Sequence, residues 1–254
     1  MLIPDVPNVS LVAFYGDKPS PLTRLIQELQ TYLSELKILQ GKFTSYQLEQ
    51  VHGTIIGCEG LKTASGIISK WFYECRQQTR YLNLPGLINY LQNQHSFPLT
   101  IRLGGYDGSC NYGFFSRNQH PFIRSFQLQP IGNEITIPVL IGWSWQNNNI
   151  SLEMDNLRRN VQQFNLLHKY HQTKDAIDND FYLRLGTING KLTPEALNAI
   201  AWEIRNILQA KSLDISLDRN NLAFAKYQDL SIAIAKTQII TLPEATADNI
   251  EQLY

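Results

Sequence analysis

The chain has 254 residues, 43% of them hydrophobic and 17% charged, with lysine plus arginine and aspartate plus glutamate equal at 22 each. Such a composition belongs to a globular protein long enough to bury a substantial core. The zero net charge excludes a global field that would draw in long nucleic acid or a membrane surface, so any polyanion must be met by a local site. The three cysteines (Cys58, Cys75, Cys110) are odd in number and have no C-x-x-C spacing. That argues against a disulfide framework or a zinc ribbon and fits a reducing, cytoplasmic compartment. The N-terminal stretch MLIPDVPNVSLVAFYGDKPSP has no basic segment and an apolar run of only about six residues, which suits neither a signal peptide nor an anchor.

In chain order, NVSLVAFYG (8–16) is a short β-branched and aromatic run closed by glycine, a predicted strand. SPLTRLIQELQTYLSELKILQ (20–40) spaces Leu22, Leu25, Ile26, Leu29, Leu33 and Leu36 at three and four residues, with Ser20 as N-cap and Pro21 at the first helical position. QVHGTIIGCEG then reads as a strand. TASGIISKWFYECRQQTRYLN and LPGLINYLQNQ read as helices broken at Pro85-Gly86. PLTIRLGGYD (98–107) is a strand, GSCNYGFFSRNQHP a loop, and FIRSFQLQPIG (122–132) and EITIPVLIGWSW (134–145) two more strands. SLEMDNLRRNVQQFNLLHKYH reads as a helix, DFYLRLGTING as a strand, and TPEALNAIAWEIRNILQAK as a helix capped by Thr193. LDISLDRNNLAFAKYQD suggests a hairpin around residues 218–221, SIAIAKTQIITLP a last strand, and EATADNIEQLY a loosely held acidic tail.

The two halves of the chain match element by element: strand, helix, strand ending in glycine, helix, strand, strand. The expected fold is therefore α+β. It is one bilobal, pseudo-symmetric domain with a first lobe over about 1–133, a second over about 134–243 and a tail at 244–254. Each lobe would be a mostly antiparallel sheet with helices on its outer face, and a cleft would lie between the lobes. VHGTIIGCEG (51–60) overlays FYLRLGTING (181–190) without a gap, so His52 falls on Tyr182 and Thr54 on Arg184. Residues two apart on a strand share a face. His52 and Thr54 would thus point together toward Tyr182 and Arg184 across the cleft, where ligands commonly sit.

His52-Gly53-Thr54, followed by Ile55, Ile56 and Gly57, resembles the H-x-[T/S] strand motif of the two-histidine (2H) phosphoesterase superfamily. Topologically the resemblance covers most of the chain; by motif it covers the first half alone. The resemblance implies a duplicated bilobal fold and metal-independent attack on a phosphodiester, typically a 2′,3′-cyclic phosphate or a 2′-5′ linkage. It also implies two histidines in general acid and base roles and hydroxyls on the phosphate oxygens. The second motif is absent: Tyr182-Leu183-Arg184 stands in its place, and His95, His120, His168 and His171 are not followed by the required Thr or Ser.

The carry-over assigns His52 as general acid/base and Thr54 as a phosphate ligand. By its own chemistry, Tyr182 is usable as a proton donor and Arg184 as a bidentate phosphate ligand. Both are equally common as ordinary strand residues. Arg102, mid-strand in LTIRLGGYD, is either a second phosphate-binding arginine or a surface side chain. The loop after it offers Tyr106, Tyr112, Phe114 and Phe115 as residues that stack on a base. His168 and His171, at i and i+3 of the predicted helix, lack a third metal ligand and suffice as helix-end caps. Trp143, Trp145 and Trp202 read as core or lobe-interface residues, and Cys58 as an inert buried thiol. No metal or organic cofactor is implied. The expected partner is a small nucleotide or RNA terminus handled as a cyclic phosphodiester. The alternatives are an inactive relative that only binds such a ligand, or a protein-interaction domain without a ligand cleft.

Overall fold

A computed structural model describes Ile3 and residues 8–254. The first part of the N-terminal stretch read above as carrying no leader lies outside the described residues. β1 (Asn8–Ala13) leads into α1 (Ser20–Glu35), which turns Leu22, Leu25, Ile26, Leu29 and Leu33 onto the core as their spacing dictates. The helix starts at Ser20 itself, with Pro19 preceding it and no side-chain cap. β2 (Phe43–Ser45) and β3 (Gly53–Gly57) follow, then a separate hairpin of β4 (Gly60–Thr63) and β5 (Gly66–Ser69). The helix expected across residues 63–83 is therefore a strand followed by the short α2 (Lys70–Arg76). The β-branched pair Ile67-Ile68 takes the extended form opposite Leu61 and Lys62.

α3 (Leu84–Asn89) is capped by the Asn83 side chain, and β6 (Leu99–Leu103) follows. α4 (Pro121–Arg124), a single turn opened by its proline, takes the front of the segment expected to be strand, which becomes β7 (Phe126–Ile131). β8 (Ile135–Gln146) and β9 (Asn149–Ile150) precede α5 (Glu153–Asn160). The helix predicted as far as residue 171 stops here: a 3-10 turn over Val161–Phe164 ends at Asn165 in the left-handed conformation, φ +61°. His168 and His171 consequently sit in an irregular segment, not on a helix. β10 (Asp180–Arg184), β11 (Gly186–Asn189) and α6 (Pro194–Gln209) come next, the last capped by Thr193 as its sequence indicates. β12 (Leu213–Leu217), β13 (Leu222–Tyr227), β14 (Gln238–Thr241) and α7 (Ala247–Glu251) complete the described residues.

These elements form a mixed α and β fold around a large antiparallel sheet of 12 strands, with β4 and β5 apart from it. The main path runs β12-β6-β8-β10-β3-β1-β13-β14, and β7, β9, β11 and β2 attach through β8 and β11. β12 and β13 do not pair with each other as the expected hairpin. β12 bonds β6, while β13 lies between β1 and β14 far along the sheet. An Asp218/Asn221 capping box turns the chain between them and aims the two strands at different partners. The C-terminal segment is also docked: Ile250 and Leu253 are buried, and the Tyr254 hydroxyl donates to the Cys58 carbonyl at 2.5 Å. The apolar residues of EATADNIEQLY outweigh its acidity. Trp143 and Trp145 are buried, whereas Trp202 stays half exposed against Phe122. No helix among the described residues is long and apolar enough to cross a membrane.

The centre of the sheet is its weakest point of backbone pairing. β3 and β10 share a single register pair, Gly53 opposite Leu183. The Arg158 side chain, 3% exposed and projecting from α5, takes the place of the missing rungs. It donates to the carbonyls of Ile55 (2.7 Å) and Thr54 (3.1 Å) on β3, of Asp180 (3.0 Å) on β10, and of Asp178 (2.8 Å) just before it. Removing the guanidinium would leave these buried carbonyls unpaired, at roughly 1–3 kcal/mol per group and less than additively. Arg158→Met should therefore lower unfolding free energy by about 3 kcal/mol or more in denaturant titration, and Arg158→Lys should not restore it, because an ammonium lacks the planar fork. A loss below about 1 kcal/mol for Arg158→Met would mean the seam holds without the clamp.

Candidate functional site

One face of the sheet packs on the main core; the other opens into a cavity of about 220 Å³ beside the β3–β10 seam. Counting outward from Gly53 and Leu183, His52 comes opposite Arg184 and Thr54 opposite Tyr182, all four on the cavity side. Their odd-numbered neighbours Phe181, Leu183 and Ile55 are buried in the core. A smaller apolar cluster flanks the cavity on each side, one built on Tyr106 and Trp143, the other on Val12, Tyr227 and Ile232.

His52 is 7% exposed, and its Nδ1 lies 2.7 Å from the Gln50 carbonyl. A carbonyl accepts only, so Nδ1 carries the hydrogen and Nε2 keeps its lone pair. Burial, with the nearby charges of Arg184 and Lys18, lowers the His52 pKa to about 4 against the opposing pull of that carbonyl bond. The ring is therefore neutral at physiological pH, a proton acceptor and not a donor. Lys18 is itself lowered to about 8, chiefly by burial. Arg184 donates from Nη1 to the Leu230 carbonyl at 3.1 Å, and its other N–H groups have no acceptor among the described residues. The Thr54 hydroxyl likewise makes no hydrogen bond among them, whereas its backbone carbonyl is held by Arg158. Arg124 donates to the Tyr182 oxygen, which fixes the ring and leaves the phenolic hydrogen for another acceptor.

Behind this wall lies a network of charges built largely from residues the sequence did not single out. Asp180, fully buried, accepts from Trp143 Nε1 (2.7 Å), Ser116 Oγ (2.5 Å) and Arg124 Nη2 (2.9 Å). His168 lines the cavity and donates from Nε2 to Asp178 Oδ2 at 2.8 Å; its buried Nδ1 has no partner among the described residues. Burial and the charge of Arg158 lower His168 to about 4. Burial would raise Asp178, but the His168 hydrogen bond and the Arg158 charge hold it well below the usual carboxylate range. His171 pairs with Asp155 (2.8 Å) in a parallel arrangement outside the cavity. Arg117, also on the lining, stacks its guanidinium over Tyr170 at 4.3 Å and faces Tyr182 at 5.7 Å.

Of the sequence-predicted residues, the cavity thus gathers His52, Thr54, Tyr182 and Arg184. Arg102 and Tyr106 are not on its lining. Arg102 is tied bidentately to Asp214, its register partner on β12, at 2.6 and 2.7 Å, and stacks on Trp145. Tyr106 is buried against Trp143, its hydroxyl given to the Arg102 carbonyl, so it belongs to the core and offers no face for stacking. Sequence reading passed over Glu59, Arg117, Arg158, Lys169 and Tyr170, and set His168 aside as a helix cap. The signal for His168 was present in the acidic IDND segment ten residues on, whose Asp178 becomes its partner. Among the described residues no group of three or more His, Cys, Asp or Glu side chains is placed to hold a metal ion.

No family model matches the chain, and no curated protein sequence does. Among solved structures, the crystal structure of TT0787 of Thermus thermophilus is similar over 92% of this chain and 94% of its own, at 10% identity and a TM-score of 0.42.

His52 and His168, both held neutral, set a direction for stability against pH. In the unfolded chain each binds a proton near pH 6.5, and in the folded protein only near pH 4. Between those limits the unfolded state holds more protons, so stability should fall as pH drops from about 6.5 to about 4, by up to ~1.4 kcal/mol per pH unit for each group. Denaturant titrations at stepped pH should show this slope in the wild type and a shallower one in His52→Gln. Identical slopes would show that His52 is not desolvated.

Proposed function

We propose that the cavity binds a small phosphodiester, a cyclic nucleotide or cyclic RNA-end phosphate, and opens it with His52 as the general base. The carrying observation is that His52 and Arg184 fall opposite each other at the β3–β10 seam and line one cavity. His52 Nε2 takes a proton from the attacking water, whose oxygen bonds to phosphorus. Arg184 and the Thr54 hydroxyl hold the non-bridging oxygens as charge grows on them. The ester bond to the leaving oxygen breaks, and that oxygen takes its proton from the Tyr182 hydroxyl. Arg124, donating to the same phenolic oxygen, favours the phenolate that remains.

On this reading the chain is a diverged, single-motif relative of the 2H phosphoesterases. Support comes from the sheet order, in which β3 and β10 stand at the middle of the main path with four strands to each side, counting themselves. We read these as the two lobes of one bilobal domain, with the seam as a pseudo-two-fold axis. Lobes so read do not divide near residue 133 as expected: β6 lies with β8, β10 and β12, while β13 and β14 lie with β1 and β3. A second reading, a cleft that binds without turnover, is favoured by one observation: the cavity residue opposite Thr54 is Tyr182, a far weaker acid than a histidine in that role would be.

A panel of nucleoside 2′,3′-cyclic phosphates and cyclic mono- and dinucleotides tests both. On the enzyme reading, His52→Ala lowers turnover by about 10²–10⁴-fold. Arg184→Ala raises KM or Kd by about tenfold or more. The rate should stay flat from pH 8 down to about 5, because His52 remains a base until it titrates near 4. Equal inertness of wild type and His52→Ala, with Arg184-dependent binding retained, selects the binding reading. Absence of both turnover and binding removes the two together.

A further inference from the structure

The phosphate reading leaves one end of the cavity unused, and β3 itself leads there. On β1, Val12 stands opposite Thr54 and Leu11 opposite Ile56, so Ile55 is an extra residue, a bulge. The bulge reverses the alternation of side chains. Ile55, Ile56 and Cys58 all enter the core, and Gly57 and Glu59 come round to the cavity face that His52 and Thr54 occupy earlier in the strand. The Glu59 carboxylate folds back over Gly57 so closely that a Cβ at position 57 would collide with it. Glycine at 57 is therefore the seat of this carboxylate.

Trp71 Nε1 donates to Glu59 Oε2 at 2.9 Å, and Glu59 forms no ion pair among the described residues. Burial pushes its pKa up from the ordinary carboxylate value, with the Trp71 bond and Lys169 opposing. Lys169 lies over both the Trp71 ring (5.0 Å) and the Tyr170 ring (5.9 Å), which brings Tyr170, 43% exposed and with Arg117 over its ring, to the Glu59 side of the cavity. A carboxylate with spare lone pairs on both oxygens, near an accessible aromatic ring, is the chemistry that reads a planar heterocycle carrying two adjacent N–H donors. Thr54 and Gly57 stand opposite Val12 and Ser10, so across the bulge they are two rungs apart, on the order of 7 Å, and the Thr54 and Glu59 side chains supply the rest of the span from a nucleotide's phosphate to the far edge of its base.

We infer that Glu59, seated over Gly57, pairs with the N1–H and exocyclic N2–H of a guanine base stacked against Tyr170, so that the cavity selects guanine nucleotides. This deepens the proposed function, on which it rests for the phosphate end of the ligand. The test is calorimetric titration of the full chain with guanosine, adenosine, and the 2′,3′-cyclic phosphates of both. Guanosine, lacking phosphate, should bind about tenfold or more tightly than adenosine. Glu59→Gln, which puts an N–H against a donor edge, should erase that preference, and Arg184→Ala should weaken the cyclic phosphate while leaving guanosine unchanged. Gly57→Ala, which displaces the carboxylate without removing it, should act as Glu59→Gln does. Equal binding of the two bases by wild type, or a guanine preference that survives Glu59→Gln, would overturn the inference. If both cyclic phosphates bind alike in an Arg184-dependent way, the base assignment falls and the phosphate reading stands. If guanosine is selected by Glu59 but phosphate adds nothing, the failure lies with the phosphate reading.

Discussion

The guanidinium of Arg158 holds the centre of this protein. β3 and β10 meet at one register pair and then part, and the carbonyls exposed by their parting are taken by a single side chain from α5. A planar fork with five donors is the one side chain able to do this for two strands at once. Because the strands part, their cavity-facing residues line a depression instead of a flat sheet face. Because Arg158 fixes how far they part, His52 and Arg184 are set opposite each other by backbone and not by contact between themselves. The clamp reaches further, to the Asp178 carbonyl, and so places the carboxylate that holds His168.

The charge pattern around the seam follows from desolvation. Two histidines on the cavity lining are kept neutral by burial and by neighbouring cations. Asp178 and Asp180 are each bonded by buried donors, so neither presents an unpaired charge to a ligand. What remains unpaired at the seam is cationic or neutral: the spare N–H groups of Arg184, the Thr54 hydroxyl and the lone pair of His52 Nε2. Such a wall offers donors to an anion and one lone pair to a donor, which is compatible with the proposed phosphodiester and its attacking water. At the far end the sign changes, because the Ile55 bulge brings Glu59 onto the same face.

Elements whose stability is local were legible in the sequence. α1 and α6 declare themselves by the spacing of their buried leucines and isoleucines, α6 also by its Thr193 cap, and β8 by a largely apolar run that is buried from Thr136 to Trp145. The seam was legible as far as the alternation of His52 with Thr54 and Tyr182 with Arg184. What depended on distant partners was not. The DRNN turn between β12 and β13 looks like a hairpin because turn chemistry fixes a local reversal, yet which strand each side joins is decided by β6 and β1 far away in the chain. The bulge at Ile55 is invisible because Ile55 and Ile56 both suit a strand interior, and only the register against β1 shows that one of them is extra. That Arg102 and Tyr106 lie off the cavity lining was hidden for the same reason. An arginine mid-strand is free or paired according to what lies opposite, here Asp214.

Whether His52 and Arg184 form one anion site is tested most directly by NMR with selectively labelled histidine and arginine. Titration with a nucleoside 2′,3′-cyclic phosphate should shift the His52 imidazole and the Arg184 guanidinium signals together, along one binding curve with a single Kd. The free protein should show the Nδ1–H tautomer that the Gln50 carbonyl imposes. Shifts of Arg184 alone, separate curves for the two residues, or an Nε2–H tautomer at neutral pH would contradict a shared site.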